Sequence, residues 1–208
     1  MAGMEIEAAV QELREHNDYA GIVADNRIRF ALKEKARPMF SEVFSHYYPG
    51  FIWCPEYDRV VEWLSDNKGR GLLLFGAFGR GKTVIAQKVI PTIFYAALRK
   101  VIAQAGANDL NGMYTDERGK TVLALDALLQ KRLLAIDDIG TEGELVAYGQ
   151  RRWALPEIVD NAEKRGNLLI LTSNLGRDHI IEKYGTRTME RITAITQKVR
   201  FQGESLRK

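Results

Sequence analysis

One segment of the sequence, GAFGRGKT, has the residue types and spacing needed to bind the phosphates of a nucleotide. It fits the pattern GxxxxGK[ST], in which glycines let the backbone turn its N–H groups inward towards phosphate oxygens. The helix expected after it adds the positive end of its dipole. We expect Lys82 to reach the β- and γ-phosphates and the Thr83 hydroxyl to bind Mg²⁺. The candidate nucleotide-binding residues are therefore Gly76, Ala77, Phe78, Gly79, Arg80, Gly81, Lys82 and Thr83.

A second segment, LLAIDD at residues 133–138, is an apolar run that ends in two carboxylates. Beside a phosphate loop, this pattern predicts that Asp137 holds the Mg²⁺ ion and that Asp138 orients the attacking water as a base. Because aspartate reaches less far than glutamate, we expect hydrolysis that is slow or depends on assembly. The alternative is that the two acids cap the turn that follows them.

Polar residues further along the chain are candidates for completing such a site. Asn174 follows the apolar run LLILTS and would position water at the γ-phosphate if that run lies between the two strands described above. The alternative is a simple transition from strand to loop. Arg187 and Arg191 are four residues apart and share a helical face, so either could reach a phosphate bound to a neighbouring subunit. The alternative is a pair of surface arginines in local salt bridges.

Short apolar runs and longer helical stretches alternate after residue 50, and this order predicts a parallel α/β sheet with right-handed crossovers. Runs of four to six apolar residues are typical of strands buried on both faces. The predicted strands are residues 71–76, 101–105, 133–137, 168–173 and 198–201. We expect Pro91 to kink or split the first of the helices that connect them. The predicted helices are residues 83–100, 121–131 (after a loop that begins at residue 107) and 148–164.

Residues 1–49 are predicted to form a helical N-terminal extension to a core domain at residues 50–208. One apolar stripe at helical spacing lies near the start, and a second follows Pro38, which suits a first helical turn. The segment has too few aliphatic residues to fold alone, so it packs either on the rest of the chain or on a partner. The two stripes consist of Ile6, Ala9, Val10 and Leu13, and of Met39, Phe40, Val43, Phe44 and Tyr47.

The composition narrows the class of protein. The chain has 208 residues, of which 46% are hydrophobic and 27% charged, so a globular domain is expected and disorder is not. No apolar run is long enough to span a membrane, and the single cysteine fits a reducing cytoplasm and excludes a cysteine zinc cluster. The net charge is +3, with a basic excess in residues 177–208 that is compatible with nucleic-acid contact or with a solvated surface.

Together these segments resemble the ATPase core of bacterial helicase loaders of the DnaC/DnaI type and the related IstB-like transposition ATPases, all of the AAA+ class. The resemblance covers roughly residues 51–208 and rests on GAFGRGKT, LLAIDDIGTE, LLILTSNL, YGTRTMERI and VRFQGESLRK. It implies an AAA+ P-loop core, a five-stranded parallel sheet flanked by helices with the phosphate-loop strand in the centre. It also implies that Asn174 is the sensor-1 residue and Arg191 the arginine finger, with Arg187 as second choice.

The resemblance further implies the partners. We expect an ATP- and Mg²⁺-dependent replication accessory that self-assembles through ATP at subunit contacts and acts on a replicative DNA helicase and single-stranded DNA. The alternative is an IstB-like helper that acts with a transposase. A small-molecule kinase and a nucleotide-gated module with little turnover are less favoured. Since the chain ends soon after Phe201, no C-terminal lid is expected, and the adenine contact is expected from residues 51–63.

Overall fold

Five parallel strands form the central sheet. A computed structural model describes residues 26–115, 121–147 and 150–206. The strands are β1 (Gly71–Gly76), β2 (Ala103–Gly106), β3 (Leu133–Asp137), β4 (Leu168–Ser173) and β5 (Thr196–Phe201). Their order is β2-β3-β4-β1-β5, and every pair is parallel. The predicted fold class is confirmed, but the middle strand is β4, and the phosphate-loop strand β1 lies between β4 and β5.

The strands form where the sequence has its buried apolar runs. All six residues of β4 are buried, as expected for a strand covered on both faces. β1 and β4 approach so closely that a β-carbon on Gly71 would lie 2.0 Å from the carbonyl oxygen of Leu169. β2 begins two residues later than predicted, because Val101 is 74% exposed and precedes the sheet.

Helices cover both faces of the sheet and create two hydrophobic cores. Alternate residues of β1 serve the two sides, since Leu72 and Leu74 belong to one core and Leu73 to the other. The helices are α1 (Ala36–Tyr47), α2 (Pro55–Ser65), α3 (residues 82–98), α4 (Ala124–Leu128), α5 (Ala154–Arg165), α6 (Arg177–Tyr184) and α7 (Thr186–Ile195). Helices α1 to α3 contribute to the first core, and α4 to α7 contribute to the second.

Helix α1 packs on the rest of the chain. Phe40 and Phe44 are buried in the same core as Leu72 of β1, so the predicted stripe after Pro38 faces the core except at its last residue, Tyr47, which is exposed. Pro38 lies in the first turn, as expected. The other predicted stripe, at residues 6–13, lies outside the described residues.

Helix α3 is interrupted where proline predicts it. A short α-helical segment (Lys82–Val84) passes into a π-helical turn (Ile85–Val89) and then into a second α-helical segment (Ile90–Leu98). Pro91 has no N–H to offer the carbonyl group of Gln87, four residues earlier. That carbonyl accepts a hydrogen bond from Gln104 Nε2 instead, at 2.9 Å. The Gln87 carbonyl group therefore keeps a hydrogen-bond partner despite the break in the helix.

Two predicted helices begin later than expected. Thr121–Leu123 pairs with Met113–Thr115 as an antiparallel hairpin, and α4 starts only at Ala124. Gln150–Arg152 likewise pairs with Leu145–Ala147, and α5 starts at Ala154. Pairs of three-residue strands are too short to show alternation in the sequence. Within the described ranges, the helices are all too short or too polar to cross a bilayer.

Candidate nucleotide-binding site

The phosphate loop connects the end of β1 to the start of α3. Gly79 and Gly81 have φ angles of +69° and +87°, a region that favours glycine, and this lets the loop curl around the first turn of the helix. No side chain caps that turn, so its N–H groups face the loop without a side-chain acceptor. The Lys82 ammonium group donates to the carbonyl oxygens of Gly76 and Ala77, at 2.8 Å each. Thr83, an exposed residue, lies in the same turn.

The carboxyl ends of β1, β4 and β3 meet at one edge of the sheet. Phe75 of β1 is paired with Ser173 of β4, and Ile136 of β3 with Leu171 of β4. Because the three strands are parallel, Asp137 at the end of β3 lies at the same edge as the phosphate loop and Asn174, which follow β1 and β4. The condition set for Asn174, that its strand lies between the other two, is met.

A network of hydrogen bonds links the polar residues at this edge. Thr172 Oγ1 donates to Asp137 Oδ1 at 2.6 Å and accepts from the Asp138 N–H at 2.8 Å. Asn174 Nδ2 donates to Asp138 Oδ1 at 2.5 Å. Asp138 has a φ of +59°, which turns its backbone out of the strand direction. The network fixes the two predicted acids relative to each other and brings Asp138 and Asn174 into direct contact.

The donor set at this edge fits Mg-ATP. Mg²⁺ prefers oxygen ligands, and Asp137 and Thr83 supply a carboxylate and a hydroxyl. The curled loop, the uncapped helix start and the buried Lys82 suit a phosphate chain. Thr172 is missing from the sequence prediction, although a polar residue in an otherwise apolar strand is a signal that could have found it.

A buried ion pair holds the outer side of the phosphate loop. Arg80 Nη2 donates to both carboxylate oxygens of Glu56, at 3.0 and 3.1 Å, and both side chains are about nine-tenths buried. Glu56 also accepts from the Gln202 N–H at 2.9 Å. Burial alone would raise the pKa of Glu56, but the Gln202 N–H and Arg80 outweigh it and lower that pKa. The Tyr57 hydroxyl donates to the Arg80 carbonyl at 3.3 Å, and burial raises its own pKa.

The segment after β5 lies against the same loop. The Leu206 N–H donates to the Gly79 carbonyl oxygen at 3.0 Å, and Arg80 Nη1 donates to the Glu204 carbonyl oxygen at 3.3 Å. A β-carbon on Gly79 would lie 2.0 Å from Ser205 Oγ. Nothing in the sequence signals this packing, because the partners are more than a hundred residues apart.

The two arginines of α7 have different surroundings. Arg191 forms ion pairs with Asp160 and with Glu163 of α5, the latter at 3.1 Å, and its side chain is only 18% exposed. Arg187 is exposed and forms no ion pair with any residue in the described part of the chain. The local-salt-bridge alternative thus describes Arg191 in this single chain.

Residues of the IDDIGTE and YG segments hold α7 in position. Glu142 is buried and accepts hydrogen bonds from the Tyr184 hydroxyl and from the Gly140 N–H, the latter at 2.9 Å. Lys183 donates to the carbonyl oxygens of Gly140 and Glu142, at 2.5 Å each. These contacts fasten the end of α6, and hence the start of α7, to the loop that follows Asp138.

Comparisons with known proteins agree at the level of fold. No model of a known protein family matches the sequence, and no curated protein matches it. The crystal structure of the DnaC helicase loader superposes with a TM-score of 0.58 at 16% identity, over 80% of this chain and 99% of that one. The crystal structure of a DNA replication initiation factor gives 0.51 at 14% identity, over 74% of this chain and 48% of that one. The chain therefore has a DnaC-type AAA+ P-loop fold.

Proposed function

We propose that the chain is an ATPase of the helicase-loader type, which binds Mg-ATP and assembles on a replicative DNA helicase and single-stranded DNA. The observation that carries the proposal is the network of Asp137, Thr172, Asp138 and Asn174 beside the phosphate loop. A loop that only bound nucleotide would need no paired acid and amide at this edge. The DnaC-type fold supports the choice of partner.

The residues act in distinct ways in this proposal. The loop from Gly76 to Gly81 and Lys82 bind the phosphates, and Thr83 and Asp137 would hold Mg²⁺. The metal ion, when bound, neutralises charge on the phosphate oxygens.

Asp138 and Asn174 are the residues that would orient the attacking water. Asn174 holds one oxygen of Asp138, which leaves the carboxylate oriented to accept a proton from the attacking water. The left-handed backbone of Asp138 keeps its short side chain at the sheet edge. Because aspartate has a short reach, we expect slow turnover that assembly or DNA accelerates.

A positive charge from a neighbouring subunit would complete the site. Arg191, matched to the arginine finger by resemblance, would have to leave two carboxylates of α5 to act in trans. Arg187 is exposed on the preceding helical turn and needs no such rearrangement. We therefore place Arg187 first for this role and keep Arg191 as the second candidate. Residues 1–49 would contribute the docking element for the partner.

Affinity capture with two matched baits tests the proposal. Asp138→Asn should retain ATP and freeze the assembly, whereas Lys82→Ala should lose ATP binding. Recovery of a replicative helicase with the first bait and not with the second supports the proposal. Recovery of a transposase instead assigns the chain to the transposition helpers. Equal recovery with both baits would contradict ATP-dependent assembly.

A second assay distinguishes an ATPase from a small-molecule kinase. An ATPase releases phosphate from ATP without an added acceptor, whereas a kinase should release little.

A further inference from the structure

The outer face of α3 carries a row of aromatic and basic side chains, which we call the α3 stripe. It consists of Lys88, Thr92, Tyr95 and Arg99, with Tyr47 of α1 beside it. Tyr47 Oη lies 2.9 Å from Thr92 Oγ1, and Lys88 Nζ lies 5.6 Å from the centre of the Tyr47 ring. The Arg99 guanidinium carbon lies 5.8 Å from the centre of the Tyr95 ring. The contacts show that rings and cations alternate along one surface.

The stripe exposes large aromatic rings to solvent. Tyr95 is 57% exposed and Tyr47 is 37% exposed, and neither belongs to the two hydrophobic cores. Tyr48, next to Tyr47, is 54% exposed. Exposed rings grouped with cations are typical of a binding surface, whereas scattered ones need no explanation.

The charged side chains of the α3 stripe, Lys88 and Arg99, are both basic. No acidic residue occurs between Asp66 and Asp109, and α1 contributes a single acid, Glu42. The partner of such a surface is therefore anionic. Three of the basic residues in this interval are exposed on the stripe or next to its end, namely Lys88, Arg99 and Lys100.

Arg99 occupies a position that favours glycine. It follows the last residue of α3 with a φ of +54°, in the left-handed conformation that ends many helices. A side chain with a β-carbon is disfavoured there, and the favourable charge at the end of the helix is available from Lys100 as well. The Arg99 side chain is exposed, so its guanidinium group beside Tyr95 is accessible to an anionic ligand.

We propose that the α3 stripe binds single-stranded nucleic acid, with bases stacked on Tyr47 and Tyr95 and phosphates paired with Lys88 and Arg99. Cations alone would suit an acidic protein segment equally well, but the exposed aromatic residues favour bases, which stack on aromatic side chains whatever their sequence. From Lys88 to Arg99 the helix rises about 16 Å, which is room for several nucleotides. This inference rests on the proposed function, in which single-stranded DNA is a partner, and it names the surface involved.

Fluorescence anisotropy with a fluorescein-labelled oligothymidylate tests the surface, using the full chain and four variants. Tyr95→Ala should weaken binding by about 5- to 100-fold through lost stacking, and Tyr95→Phe should bind as the wild type does. Arg99→Gly should weaken binding and lower the slope of log affinity against log salt by about one. It should leave the midpoint of urea unfolding unchanged or raise it, since glycine suits the backbone. Lys164→Ala on α5 removes the same charge and should leave binding unchanged.

Each outcome bears on the inference. Binding by wild type that Tyr95→Ala and Arg99→Gly leave intact overturns the α3 stripe, while the proposed function stands. Equal affinity for polyglutamate, lost in Arg99→Gly but not in Tyr95→Ala, overturns it in favour of an acidic protein partner. Failure of the wild type to bind the oligonucleotide overturns both the stripe and the DNA partner, whereas helicase capture and phosphate release still test the remaining proposal.

Discussion

Replacing Thr172 with valine removes the hydroxyl group that links the two acids and keeps the shape of the side chain. Thr172 is 2% exposed, so water does not replace the hydroxyl. The Asp138 N–H loses its acceptor, and Asp137 Oδ1 loses its donor. The substitution should therefore destabilise the protein and loosen Asp137, which the proposal assigns to Mg²⁺.

The size of the effect follows from the two bonds. A buried N–H left without an acceptor costs about 1–3 kcal/mol, and a hydrogen bond to a carboxylate contributes about 1.5–3 kcal/mol. The partly exposed Asp137 recovers some of this from water, and the added methyl group returns about 0.8 kcal/mol. We expect Thr172→Val to lower the free energy of unfolding by about 2–4 kcal/mol.

Thr196→Val is the matched control. Thr196 is 1% exposed, and its hydroxyl donates to the Ile192 carbonyl at 2.6 Å. That carbonyl also accepts from the Thr196 N–H, so it keeps a donor after the substitution. Here we expect a loss of no more than about 1 kcal/mol.

Urea unfolding followed by circular dichroism measures both variants. The reasoning is refuted if Thr172→Val and Thr196→Val lower the free energy of unfolding equally. A second readout is the Mg²⁺ concentration that half-saturates phosphate release, which should rise in Thr172→Val and stay unchanged in Thr196→Val.

Two further predictions concern charged residues. Arg187→Ala should retain ATP binding and stability but lose hydrolysis in the assembly, whereas Arg191→Ala should lower the free energy of unfolding by about 1–2 kcal/mol through its lost carboxylate partners. Phosphate release and urea unfolding of both variants check this, and an unaffected rate in Arg187→Ala would exclude it as the arginine acting in trans. Glu56→Gln should destabilise the protein by about 3 kcal/mol at pH 7. Because the folded protein lowers the pKa of Glu56 below 4.5, its contribution is present above that value and is lost as pH falls through the folded pKa. The difference between the urea midpoints of wild type and Glu56→Gln should therefore be largest at pH 7 and shrink as the pH falls below 4.5, and a constant difference down to acid unfolding would contradict the assignment.

Structural features that depend on a continuous stretch of sequence could be predicted, whereas features that depend on contacts between distant residues could not. The apolar runs indicate β1, β3 and β4 clearly because these strands lie inside the sheet and are mostly buried, whereas the edge strands β2 and β5 have shorter runs and were predicted with shifted starts. Pro91 indicates a break in α3, since it lacks an N–H wherever it lies. The hairpin at residues 121–123 escaped prediction because three residues are too few to show a period of two.

The same distinction holds at the site. Lys82 and Asp137 were found from local patterns, while the role of Thr172 depends on the order of the strands, which places β4 beside β3. The carboxylates that pair with Arg191 are about thirty residues away on α5, and no local pattern connects them. Ion pairs between distant residues depend on how the helices pack, and no single segment of the sequence indicates that packing.

The contact between the phosphate loop and residues 202–206 has a genetic consequence. A premature stop codon after Phe201 would leave every residue of the nucleotide-binding motifs in the product. It would remove the Gln202 N–H from Glu56 and the Leu206 N–H from the Gly79 carbonyl oxygen. A truncated gene of this kind would therefore encode a complete GxxxxGK[ST] motif whose loop has lost the backbone contacts that residues 202–206 make with it.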